Sequence, residues 1–262
     1  MAKIRTFLAL SLLLQATVSF CAVTDPLSGA VKDLGYIAGS PGRIDAASIY
    51  PVAGIIGAGL VLYSLDGQIR NLAQKNRTKT LDDVSKQAEK LGNGGYDLAI
   101  AGAGALAGHI FSDEKLKKTS FLAIESFLAA NTVGTAAKFA IGRSRPYTGD
   151  SKNTFHPFNT KTSRTAMPSG HTVSAFSVAS VYAYNYGGSS AAGIASYGLA
   201  GLVALQRVYA NKHWASDAFF GAALGTAVGR MVAARGAAPV KKLALLPVYS
   251  GDYAGLTATY RF

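Results

Sequence analysis

Cysteine is almost absent from this chain: Cys21 is the only one in 262 residues. A disulfide framework is therefore excluded, and no zinc-type Cys/His spacing occurs. Acidic residues are scarce as well, 14 Asp and Glu against 26 Lys and Arg, which leaves a formal net charge of +12. That excess favours anionic partners. With no basic stripe interleaved with aromatics and no helix-turn-helix pattern, nucleic acid is not expected among them. A phosphorylated small molecule, a phosphorylated lipid or an anionic membrane surface suits the chain better. Charge of either sign is thin at 15%, beside 49% hydrophobic residues and 29 glycines. This balance excludes low-complexity disorder and suits closely packed helices or membrane spans.

The N-terminus, MAKIRTFLALSLLLQATVSFCA, sets Lys3 and Arg5 ahead of an apolar run from Phe7 to Leu14 and then smaller residues. That is the layout of a secretory signal peptide over residues 1–22, and it points to export to the periplasm or cell envelope. Residues 23–50 read as an N-terminal loop and 51–238 as one helical domain. Residues 239–262 read as a β-hairpin packed on it, with KKLALLPVYS and YAGLTATYRF flanking Gly251-Asp252.

The expected fold class is all-α, a bundle of about six core helices. An uncharged run from Pro51 to Leu65 continues through Leu65, Ile69 and Leu72 at helical spacing. Thr80 and Asp83 form a capping-box-like pair before an amphipathic helix that places Leu81, Val84, Ala88 and Leu91 on one face, with Gly92 as its stop. Further apolar segments run from Tyr96 to Phe111, Thr119 to Ile141, His171 to Tyr186, Ser190 to Val208 and Trp214 to Ala234. In the last of these, Gly221, Gly225 and Gly229 line one face and allow a close helix approach, in lipid or in a soluble bundle. Several segments only reach the ~17–20 residues needed to span a bilayer. Six spans would also leave Lys138 and the motif after it on the cytoplasmic side of an exported protein. A globular or peripheral envelope protein is therefore expected.

Three polar islands stand at the ends of these helices: KFAIGRSRP from Lys138, MPSGHT from Met167 and RVYANKHWASD from Arg207. Lys138 near a helix end and Arg145, turned out of helix by Pro146, can face one point. Arg143 reads as a spare, solvent-facing cation. Ser169 and Gly170 open a helix whose free N–H groups attract an anion, with His171 in its first turn. Arg207 and His213 lie about 240° apart on a continuous helix, so a break near Asn211, a residue tolerant of αL, is needed to bring them together. His213 and Asp217, four residues apart, share a face, and Asp217 can fix the tautomer of the imidazole.

K-x6-RP at Lys138, Arg145 and Pro146, PSGH from Pro168 to His171, and R-x5-H-x3-D at Arg207, His213 and Asp217 together resemble the type-2 phosphatidic acid phosphatase superfamily. That superfamily also holds bacterial non-specific acid phosphatases and vanadium haloperoxidases. The resemblance implies a metal-independent phosphatase acting on a phosphomonoester or diphosphate. It makes His213 the nucleophile that becomes phosphohistidine, Asp217 its orienting partner and His171 the general acid and base. Lys138, Arg145, Arg207, Ser169 and Gly170 become the phosphate cradle. Gln206 stands where the family usually has Ser, which bears on how Arg207 is positioned. The loop from Tyr147 to Thr165 either walls the pocket with Phe155, His156 and Phe158 or lies on the surface.

High apolarity, positive charge and export favour a lipid-linked substrate of the phosphatidate or polyprenyl diphosphate type. The alternatives are a non-specific periplasmic acid phosphatase on soluble monoesters, a vanadate-dependent haloperoxidase and a non-catalytic envelope protein.

Overall fold

The computed structural model describes residues 26–43 and 46–237, together with the backbone of residues 242–250 and 253–261. The expected signal peptide, residues 1–22, lies outside the described residues. The fold is all-α: eight α-helices make up most of residues 26–237, and the longest stretch between them is the loop of residues 142–169. They are α1 (Pro26–Ala38), α2 (Ala46–Lys75), α3 (Lys79–Lys90), α4 (Gly94–Ile110), α5 (Glu114–Ile141), α6 (Gly170–Tyr186), α7 (Ala191–Tyr209) and α8 (Ala215–Ala237).

α1 corrects the expectation of a loop over residues 23–50. Pro26 stands in its first turn, where the missing N–H costs nothing, and Leu34 and Ile37 pack on the core while Asp33 pairs with Arg235 of α8. The cap of α3 also differs: Thr78, not Thr80, accepts from Leu81 N at 3.2 Å. Segments Lys242–Ser250 and Tyr253–Arg261 pair antiparallel with each other. The packing that makes the domain is helix on helix, and the expected hairpin packed on the bundle is not supported.

α6 is the centre of the bundle, with α5, α7 and α8 around it. Small side chains make this close packing feasible. A Cβ at Gly221, Gly225 or Gly229 would lie 2.8, 2.5 or 2.5 Å from the α6 carbonyls of Ser169, Val173 and Ser177, so the glycine face of α8 rests directly on the α6 backbone. The core continues through Ala129, Ala130, Val173, Val181, Val228 and Val232. The contact of α6 with α8 fixes the first turn of α6 beside the first turn of α8, where two of the three motifs lie.

α2 and α7 behave differently from core helices. Each has a stretch long and apolar enough to cross a membrane, Ile49–Lys75 and Ala191–Tyr209, and of the 18-residue window that makes it so only 11% and 28% is buried in the bundle. Ile55, Ile56, Leu60 and Val61 on α2, and Ile194, Leu199, Leu202 and Leu205 on α7, are exposed. An apolar surface of that extent on neighbouring helices is not what a monomer keeps in water. This exposed apolar surface is consistent with membrane association, and hydropathy alone does not tell which helices lie at the periphery of the bundle.

Candidate active site

The three islands converge at one end of the bundle. Gly142, in the left-handed conformation at φ 64°, ends α5 and turns the chain out of helix. Arg145 follows in extended conformation ahead of Pro146, and Lys138 sits one turn before the helix end. Lys138 Nζ donates to the Thr165 carbonyl at 2.8 Å. It lies near Gly170, where an added Cβ would be 3.9 Å from Nζ. Ser169 is buried at the mouth of α6; its N–H donates to the Asp217 carbonyl at 2.9 Å and its Oγ accepts from Thr172 Oγ1 at 3.0 Å. His171, in the first turn of α6, stands against Gly92, where a Cβ would come within 3.1 Å of its own.

Arg207 ends α7, and its carbonyl accepts from both Lys212 N and His213 N. The bend between them is made at Asn211, whose φ is 59°. α2 holds that bend: Arg70 Nε donates to Asn211 Oδ1 at 2.9 Å and Gln74 Nε2 to the Tyr209 carbonyl at 3.0 Å. His213 is thereby set down 3.7 Å, Nδ1 to Oδ2, from Asp217 at the start of α8. Asp217 Oδ2 also accepts from Trp214 N at 2.9 Å. Gaps of this size often close when substrate binds.

The electrostatics follow from burial among cations. Burial first, then Lys138, Arg145 and Arg207, hold the His213 imidazole well below its ordinary range, against a hydrogen bond to the Ala166 backbone, a shift that favours the neutral ring a nucleophile needs. Burial and then Arg207 push His171 down to about 4. Burial and then Arg145 push Lys138 down to about 7, against the pull of Asp217. Arg145 Nε, Arg207 Nε and His213 Nδ1 are buried without a hydrogen-bond partner. Unpaired buried donors of this kind call for an anion. Among the described residues no group of three His, Cys, Asp or Glu is arranged to hold a metal ion.

α3 closes the site from one side. Arg207 Nη2 donates to Glu89 Oε1 at 2.7 Å, Tyr209 OH to Asp82 Oδ1 at 2.8 Å and Gln206 Nε2 to Ser85 Oγ at 3.1 Å. Gln206 is therefore turned towards α3. Phe155 and Phe158 lie largely on the surface, Phe158 edge-on to Phe139.

Arg143 is the main correction. Instead of facing solvent it is fully buried, with Nη1 donating to Asp217 Oδ1 and Nη2 to Asp66 Oδ2, each at 2.7 Å. The spacing of its neighbours gave no sign of this, because Asp66 lies 77 residues earlier. The available signal was Asp66 itself, a lone carboxylate at the end of the uncharged run from Pro51 to Leu65.

A family model described as the PAP2 superfamily matches residues 119–237. The lipid A 1-phosphatase of Porphyromonas gingivalis is 29% identical over 185 residues, covering 68% of this chain and 36% of that protein. The chain thus spans about a third of the length of this curated relative. The crystal structure of a transmembrane PAP2-type phosphatidylglycerolphosphate phosphatase from Bacillus subtilis aligns with a TM-score of 0.51 and 23% identity, over 70% of this chain and 94% of that one. The likeness is one of fold. Aquifex aeolicus LpxE aligns with a TM-score of 0.47 and 23% identity, over 64% and 94%. The motifs, the helical fold around them and the match of residues 119–237 all point to the PAP2 superfamily.

Proposed function

We propose that the protein is a membrane-associated phosphatase that removes phosphate from a lipid monoester or diphosphate without a metal ion, through a phosphohistidine on His213. The observation that carries this reading is a buried His213 backed by Asp217 and set among the cations Lys138, Arg145 and Arg207. Three cations and the amide N–H groups at the start of α6 can hold the equatorial oxygens of a phosphoryl group while charge shifts to the apical ones. His213 attacks phosphorus through Nε2 as its Nδ1 proton turns to Asp217. The bond to the leaving oxygen breaks, and His171 gives that oxygen a proton. Water then attacks the phosphorylated ring, losing its proton to His171, and phosphate leaves with His213 neutral again.

In the substrate-free site His171 is too weak a base to hold a proton at neutral pH. A phosphate dianion placed among the same cations reverses their effect on the ring and lets it take up the proton it must deliver. The acid is thus armed by the substrate.

Two features support a lipid. An apolar groove of about 650 Å³ runs between α2, α7 and α8, lined by Leu62, Ile69, Leu205, Val208 and Phe219, and reaches Ala215 and Ala218 just beyond His213. Its size and apolar lining suit a lipid chain. The curated relative is itself named for action on a lipid phosphate. α2 and α7 are read as membrane spans, with Lys138, Arg145, His171, His213 and Asp217 on other elements and Arg207 in the last turn of α7.

Phosphate release from phosphatidate, a polyprenyl diphosphate and a soluble monoester, by wild type and His213→Ala in detergent, tests the reading. The lipids should turn over fastest, chelator should change nothing, and His213→Ala should lose roughly a thousandfold or more. Equal turnover by both proteins sinks the mechanism, and preference for the soluble ester sinks the lipid assignment.

A further inference from the structure

The His213–Asp217 pair does not end at Asp217. Behind it lies a chain of fully buried groups: Asp217 Oδ1 to Arg143 Nη1 at 2.7 Å, and Arg143 Nη2 to Asp66 Oδ2 at 2.7 Å. Ser216 ties both ends, its Oγ accepting from Arg143 Nη1 at 2.8 Å and donating to Asp66 Oδ2 at 2.6 Å, while its N–H donates to Asp66 Oδ1 at 2.9 Å. The loop after the first motif closes over the cation. The Lys152 carbonyl accepts from Arg143 Nε at 3.0 Å, and the rings of Tyr63, Trp214 and Phe155 surround the guanidinium at 4.6, 5.4 and 5.9 Å. Asp66 lies outside the region that matches the family.

We infer that Asp66 and Arg143 are positioning residues for the phosphoryl transfer proposed above, holding Asp217 against His213 and leaving the buried cluster one net negative charge to balance the phosphorylated imidazole.

This inference rests on the phosphatase reading. Arg143 facing Asp217 alone would take up most of that carboxylate's charge and leave little for the ring. Asp66 supplies the second carboxylate, so Arg143 is neutralised from behind and Asp217 keeps its field towards His213. When His213 is phosphorylated with Nδ1–H retained, the ring is positive and the cluster becomes neutral. Burying an acid, a base and a second acid in this way is not the cheapest route to stability, since apolar side chains of similar volume usually serve as well. A catalytic charge requirement accounts for it. His213 is faced by Lys138 of α5, Arg145 of the loop after it, Arg207 of α7 with Glu89 of α3 behind it, and Asp217 of α8, while His171 of α6 faces the same cations. Asp217 is the anion directly paired with the ring, so what lies behind it matters.

The test compares wild type, Asp66→Asn and Asp66→Asn combined with Arg143→Gln. Asn keeps the shape and the acceptor for Ser216 N–H but not the charge. Turnover by Asp66→Asn should fall about ten- to a hundredfold with KM little changed, and the acid limb of its pH–rate profile should move to lower pH. The double variant, which removes the unbalanced cation, should recover part of the loss, whereas a merely structural network would be damaged further by the second change. Binding of inorganic vanadate forms a bond from the His213 nitrogen to vanadium, the counterpart of the bond to phosphorus, without turnover, and Trp214, the only tryptophan, reports it beside the site. Vanadate affinity should drop about tenfold in Asp66→Asn while inorganic phosphate affinity stays level. An unchanged ratio of vanadate to phosphate affinity, or a double variant worse than the single, overturns the inference. A wild type that binds vanadate but hydrolyses no phosphoester overturns the phosphatase reading, and the vanadate ratio still decides the role of Asp66.

Discussion

Lys138 gives the proposed oxyanion cradle a measurable signature. Burial and Arg145 hold its ammonium down to about 7 in the substrate-free protein, against an ordinary value of 10.5. A tetrahedral anion bound against it supplies the missing counter-charge and returns the ammonium to its ordinary range. Below about pH 7 the proton is already present; above it, the site must take one up as the anion enters. Linkage then makes anion affinity fall about tenfold per pH unit above that point, or about a hundredfold from pH 7 to 9. Sulfate is the suitable probe because its own charge is constant over the range. Calorimetric titration in two buffers of different ionisation enthalpy reads both the affinity and the proton. Lys138→Arg, charged at every pH used, should flatten the profile. A wild-type affinity that does not change from pH 7 to 9, or a Lys138→Arg variant that keeps the wild-type slope, refutes the reasoning.

Further outcomes follow from the same geometry. Glu89 is the carboxylate on Arg207 in the substrate-free site, and its side chain is 47% exposed, so the pair is weak. Glu89→Gln should tighten product inhibition by phosphate several-fold, and unchanged inhibition would show that Arg207 is not held back. Gly225→Ala places a Cβ 2.5 Å from the Val173 carbonyl and should cost about 1–3 kcal/mol by overpacking, read as a lower Tm together with lost turnover. Gly57→Ala meets nothing within 4 Å and should leave both unchanged. The folded chain holds His171 and Lys138 less protonated than the unfolded chain does. Stability without ligand should therefore rise with pH from about 4 to 6.5, and again from about 7 to 10.5, as seen in denaturant midpoints across pH.

What the sequence made legible was local. Pro146 after Arg145, the Ser-Gly-His opening of α6 and the four-residue spacing of His213 and Asp217 are short-range patterns, and each corresponds to a chain turn or helix start in the fold. The need for a bend at Asn211 was likewise legible, because Arg207 and His213 fall on different faces of a straight helix. What stayed hidden depended on distance along the chain. Arg143 looked like a spare cation because Asp66 reaches it only when α2 docks on α8, where a Cβ at Gly59 would meet the Phe220 ring at 2.1 Å. α1 was hidden by its Gly and Pro neighbours. Its helix is held by packing on α5, which composition does not reveal. Whether α2 and α7 meet lipid depended on knowing which apolar faces the bundle leaves uncovered.

In the proposed mechanism His213 is the residue that takes the phosphoryl group. Rapid acid-free quench of the protein with a phosphorus-labelled lipid substrate, followed by peptide mapping under alkaline conditions, measures that directly. The label should be lost in acid, stable in base, confined to His213 and absent from His213→Ala. Label on another residue, or full turnover by His213→Ala, would contradict that mechanism.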